Sequence, residues 1–99
     1  MEFAVGPVLN ICGEVQGVVN AIQDDNPGIV VEVIDRGGYL RVQAAHSLTV
    51  TRESLQRHLG PSFELHSFEA MMSAFSGRIK TSPDQITWFL KTGADAGVN

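Results

Sequence analysis

At 99 residues, with 43% apolar and 18% charged side chains, the chain makes one soluble domain with a modest core and no room for a second. Its net charge of −4, with seven Lys and Arg scattered from Arg36 to Lys91, argues against nucleic acid as the main partner, since no basic cluster follows a phosphate backbone. No apolar run approaches the roughly 20 residues of a membrane span, Met1-Glu2-Phe3-Ala4 lacks the basic and apolar regions of a signal peptide, and a lone Cys12 excludes an internal disulfide framework, so the cytoplasm is the expected compartment.

Val5–Ile11 is a short apolar run with Pro7 near its start. Proline has no N–H to donate, which predicts a first or edge strand. From Gly13 the period changes: Val15, Val18, Val19 and Ile22 fall at i, i+3, i+4 and i+7, the stripe of a helix reaching about Asp24. Gly17 and Asn20 are poor helix formers, so packing must hold this helix. Pro27 ends it, because the residue before proline avoids the α region.

Asn26–Ala44 then reads as a hairpin. Ile29–Ile34 is almost wholly β-branched, which predicts a central strand covered on both faces. Asp35-Arg36-Gly37-Gly38 supplies the turn. Tyr39–Ala45 alternates, with Leu40, Val42 and Ala44 inward and Tyr39, Arg41 and Gln43 outward. Val31, Val33, Leu40 and Val42 are the predicted core of the hairpin.

Ser47–Thr51 is a third strand of this meander, and Thr51 can cap a helix over Arg52–Leu59, with Glu53 in its first turn. Gly60-Pro61 stops that helix. A further helix is predicted from about Leu65 to Ser73, with Leu65, Phe68, Met72 and Phe75 on one stripe and Met71 at its flank. Gly77–Thr81 and Gln85–Leu90 close the domain as a hairpin around Ser82-Pro83-Asp84, and residues 92–99 read as a disordered tail after a domain over 1–91. The predicted order is β-α-β-β-β-α-α-β-β, antiparallel hairpins packed on short helices in a single α+β domain.

Reactive residues are sparse. His46, His58 and His66 sit in different elements with no ligand spacing, so exposed or capping histidines are expected and no metal. Cys12 has no identifiable base beside it and reads as a buried structural thiol. Asp24 and Asp25 point apart on a helix and read as a solvated helix end. Gly37-Gly38 precedes no phosphate-binding helix. No catalytic constellation emerges, which favours a protein that works by binding.

Asn26-Pro27-Gly28-Ile29-Val30-Val31-Glu32 followed by Gly38-Tyr39, with Val5-Gly6-Pro7 before the first helix, resembles the regulatory (effector, or coupling) proteins of soluble di-iron multicomponent monooxygenases. Leu59-Gly60 with Phe63, the run Ser73-Ala74-Phe75-Ser76-Gly77-Arg78-Ile79, and Asp84-Gln85-Ile86 extend the likeness over residues 5–90. The resemblance implies a cofactor-free, non-catalytic component. It would dock on the large subunit of the hydroxylase, promote oxygen activation, and couple electron supply from a reductase, and where present a Rieske ferredoxin, to hydrocarbon oxidation. Methane-type effectors dock with a long N-terminal arm; only Met1–Ala4 precede Val5 here, which favours a toluene, phenol or alkene-type partner.

By the same resemblance, Met71, Ser73, Ala74, Phe75 and Ser76 match the positions that contact the hydroxylase, and Asn26 and Pro27 are added at the end of the first helix. The competing reading is a free-standing ferredoxin-like or ACT-like domain that senses a small molecule. A cofactor-free isomerase or cyclase is third, and it needs a buried acid, for which Glu32 is the one starting point.

Overall fold

Residues 3–90 are described by a computed structural model, so the expected tail at 92–99 lies outside the described residues. Strand β1 (Ala4–Asn10) leads into helix α1 (Val15–Asp25) and strands β2 (Glu32–Asp35), β3 (Tyr39–Ala45) and β4 (Ser47–Thr51). Helices α2 (Arg52–Leu59) and α3 (Leu65–Met71) follow, then β5 (Met72–Ser76), β6 (Arg78–Thr81) and β7 (Gln85–Phe89). The α+β class and the element order are as predicted, with one strand, β5, added where the third helix gives way early. All pairings are antiparallel, in two sheets ordered β2-β3-β1-β5 and β4-β7-β6.

The alternation in β3 fixes the core. Leu40, Val42 and Ala44 are buried, with Val5 and Leu9 of β1 beside them; Leu48, Val50, Ile86 and Trp88 come from the second sheet. Trp88 meets Phe68 of α3 edge-on at 5.8 Å, a favoured aromatic geometry. Helix α1 buries Val18, Val19, Ala21 and Ile22 and packs mainly on α2 and β4. Gly17 faces α2 at close range: a Cβ there would run into the Leu59 side chain, so glycine serves packing at a cost in propensity. At α2 the Thr51 hydroxyl accepts from the Ser54 N–H at 3.1 Å, the predicted cap.

Strand order overturns three expectations. Strand β4 is not the third strand of the meander: it pairs with β7 in the second sheet. The β-branched run is not a central strand: only Glu32–Asp35 is extended, it forms the sheet edge, and Val33 is 38% exposed. Val31 does pack against the core, partly buried. Conversely β1, expected first or at an edge because of Pro7, lies between β3 and β5. Its ladder to β3 runs Val5↔Ala44 and resumes at Val8↔Arg41, so the proline sits in a gap where no N–H is needed.

Four side-chain assignments also change. Gln43, expected to face outward from β3, is buried at 8% exposure, its Nε2 donating to Glu32 of the neighbouring strand. Met71 is buried at 9% exposure and Met72 only half-buried, the reverse of the expected stripe, because the helix ends at Met71 and a strand puts successive residues on opposite faces. Cys12 is exposed, in the linker between β1 and α1. Asp24 and Asp25 are more than a solvated helix end. The Asp25 carboxylate accepts from the Thr51 N–H (2.7 Å) and the Ser54 hydroxyl (2.6 Å), and Asp24 lies 2.6 Å from His58 Nε2, tying α1 to α2.

Candidate docking surface

Strand β5 is the outer strand of the four-stranded sheet, held by β1 on one side only. Its register is Gly6↔Ser76, Pro7↔Phe75 and Val8↔Ala74, then a shift brings Leu9 opposite Met72. Ser73 is therefore the extra residue of a bulge, a feature that re-aims side chains; its hydroxyl donates to the Val8 carbonyl at 3.4 Å. Ser73, Ala74 and Phe75 are exposed, Phe75 at 42%, and Ser76 is half-buried. Arg41 reaches across β1 and donates from Nη1 to the Ser76 hydroxyl at 3.0 Å. The alternation of β3 signalled that Arg41 faces outward, but nothing in the sequence signalled its contact 35 residues away.

The seven residues singled out from the sequence do not form one patch. Asn26 is 6% exposed and fully engaged: its Nδ2 donates to the Ile22 carbonyl (2.6 Å) and the Thr49 carbonyl (2.7 Å), and its Oδ1 accepts from the Thr49 N–H (3.1 Å). Asn26 thus fastens the end of α1 to the open edge of β4. Asn26→Ala strands both Thr49 backbone groups, each worth about 1–3 kcal/mol when buried unpaired. A stability loss of about 2–4 kcal/mol is expected in urea unfolding followed by the fluorescence of Trp88, the one tryptophan; a loss below half a kcal/mol would refute the clamp.

Pro27 is exposed and opens a surface loop whose apolar residues Ile29 and Val30, the latter 76% exposed, lead into β2. Strands β2 and β5 are opposite edges of one sheet, three strand spacings or roughly 14 Å apart. The exposure of Ile29 and Val30 escaped the sequence reading, which placed that run inside.

Other chemistry finds little footing. Glu32 is exposed and accepts from Gln43 Nε2 at 2.6 Å, so it is no buried acid. A cleft of about 380 Å³ is lined by Thr51, Arg52, Glu53, Gln56, Asp84 and Gln85. Arg52 sits there 3.7 Å from both Glu64 and Asp84, a charged wall unlike the mostly apolar lining of small-molecule sites. Among the described residues no three His, Cys, Asp or Glu side chains are arranged to hold a metal ion.

A family model described as MmoB/DmpM matches residues 4–89. The chain belongs to the MmoB/DmpM family. The effector subunit of the alkene monooxygenase system of Xanthobacter autotrophicus is 40% identical over 91 residues, 92% of this chain and 90% of that one. Among solved structures, a phenol hydroxylase–regulatory protein complex contains a chain superposing with a TM-score of 0.79 at 19% identity, over 89% of this chain and 99% of that one. Regulatory protein B of soluble methane monooxygenase superposes at 0.68 with 24% identity, over 94% of this chain and 69% of its own. Both structural likenesses concern the MmoB/DmpM fold, and the family match takes in β5, the bulge and the Arg41–Ser76 contact.

Proposed function

We propose that this chain is the non-catalytic effector of a multicomponent monooxygenase, that its partner is the di-iron hydroxylase component, and that the system is of the alkene, toluene or phenol type. The observation that carries the reading is the 40% identity, over 91 residues, with an alkene monooxygenase effector subunit. The contact is made through Ser73, Ala74, Phe75 and Ser76, with Pro27 as an outlying point. Met71 and Asn26 are buried and take no part in the contact; they hold the ends of α3 and α1 from inside.

The effector acts by population shift. It binds one hydroxylase conformation more tightly than another and so favours it by the difference in affinity. A coupling of about 1–3 kcal/mol is usual for such pairs. The favoured conformation is the one that activates oxygen and couples electron transfer to substrate oxidation, and no reacting group on the effector is required.

Ala74→Arg tests this. Ala74 is exposed, so bulk and charge there should leave the melting temperature unchanged. Hydroxylase binding should weaken about tenfold or more, at least ~1.4 kcal/mol, and effector-dependent turnover should fall with it. Unchanged affinity in a folded variant would place the interface away from Ala74 and the β5 edge.

A further inference from the structure

A guanidinium drawn part-way out of water costs free energy unless an anion or a full set of hydrogen bonds replaces the water it loses. Among the described residues Arg41 is the one Lys or Arg that is not exposed. Arg52 and Arg57, both exposed, lie 3.7–3.8 Å from carboxylates: Glu64 and Asp84 for the first, Asp24 for the second. Arg41 has no such partner among the described residues. Its bond to Ser76 goes to a neutral hydroxyl and occupies one of the five N–H donors of a guanidinium. Glu32 stands on the same sheet face, opposite Gln43 and two positions along the ladder. Its carboxylate is taken by Gln43 Nε2 at 2.6 Å, while Arg41 extends the other way, over β1 to β5.

That direction places the charge. Arg41 is opposite Val8, and Val8 is opposite Ala74, so Arg41, Ala74 and Ser76 share one face. We infer that Arg41 is the charged anchor of the docking surface and that its occupant is an Asp or Glu side chain of the hydroxylase, an assignment that rests on the hydroxylase being the partner. Asp and Glu supply the anions of a protein surface, and a guanidinium fork takes a carboxylate through two parallel bonds. The Ser76 hydroxyl already holds the fork at the border of β5, so little ordering is left for the encounter. The chain as a whole carries a net charge of −4, so the attraction to an acidic group is local to Arg41.

Binding to the purified di-iron hydroxylase of the same system, measured by calorimetry at low and high ionic strength, tests the assignment. Arg41→Met keeps the stem and removes the charge, Arg41→Glu reverses it, and both should keep wild-type circular dichroism. At low ionic strength Arg41→Met should bind about tenfold more weakly than wild type, and Arg41→Glu more weakly still. The gap between wild type and Arg41→Met should narrow as salt is added, and Arg41→Glu should gain affinity. Arg41→Lys, which keeps the charge without the fork, should fall between wild type and Arg41→Met. A loss in Arg41→Met that is equal at every ionic strength would mean that Arg41 only braces β5 through Ser76, and would overturn the inference. Wild-type affinity in Arg41→Met beside weakened binding in Ala74→Arg would remove the anchor and leave docking through β5 standing. A wild-type chain that does not bind the hydroxylase would remove both.

Discussion

Val42→Asp is expected to remove a large share of the stability of this domain. Val42 is fully buried in β3, opposite Val33 of β2 and within the cluster of Val5, Leu9, Leu40 and Ala44. A carboxylate there finds no cation, and an uncompensated buried charge costs about 3–5 kcal/mol. A domain of this size is held by only about 5–15 kcal/mol in all. At roughly 4–8 °C per kcal/mol, the melting temperature should fall by about 15 °C or more, read from Trp88 fluorescence. Tyr39→Asp, in the same strand but on the outward, exposed side, should stay within about 0.5 kcal/mol of wild type. A Val42→Asp variant melting within a degree of wild type would mean that the inward face of β3 has been assigned to the wrong residues.

That contrast shows which parts of the fold are written in local pattern. The inward Leu40, Val42 and Ala44 of β3, the valine and isoleucine stripe of α1, the Thr51 cap and the Asp35–Gly38 turn depend on residues within a few positions of one another, and these are where the sequence puts them. Gln43, expected outward, is buried against Glu32 of the neighbouring strand. Strand order depends on partners far away. The β-branched run before the turn has the composition of a buried strand, yet no strand lies beyond β2, and Ile29, Val30 and Val33 stay exposed. Asp25 looks like part of a solvated helix end, and Asn26 like a surface residue, because their partners Thr49, Thr51 and Ser54 are 23 to 29 residues further on. Of the candidate site, Ser73, Ala74 and Phe75 reach the surface as the resemblance implied. The strand that carries them was not legible: Met72–Ser76 mixes small and polar residues with weak β preference, and its pairing with β1 is non-local.

The same non-local pairing makes Gly6→Ala the second severe substitution. Gly6 has φ +143°, a conformation that side chains rarely adopt. A Cβ there would overlap the Val42 carbonyl oxygen and press on Leu48 Cδ2 at 3.0 Å. The obstacle is backbone in the neighbouring strand, so relief requires moving β1 or β3, and β1 is held on its other side by β5. Strain of about 1–3 kcal/mol then adds to about 1–3 kcal/mol for the displaced packing, a loss on the order of 2–5 kcal/mol. Gly38→Ala is the control: no atom lies within 4 Å of its Cβ position, so its effect should be near neutral, with at most a gain of about 0.4–1 kcal/mol from a stiffer unfolded chain. Because Gly6 pairs with Ser76, the Gly6→Ala distortion should also reach β5. Hydroxylase affinity should therefore drop in the folded fraction of Gly6→Ala and stay at wild type in Gly38→Ala. Equal stability of the two variants would show that β1 and β3 can separate at Gly6–Pro7 without cost, and that the gap in their ladder is compliant rather than close-packed.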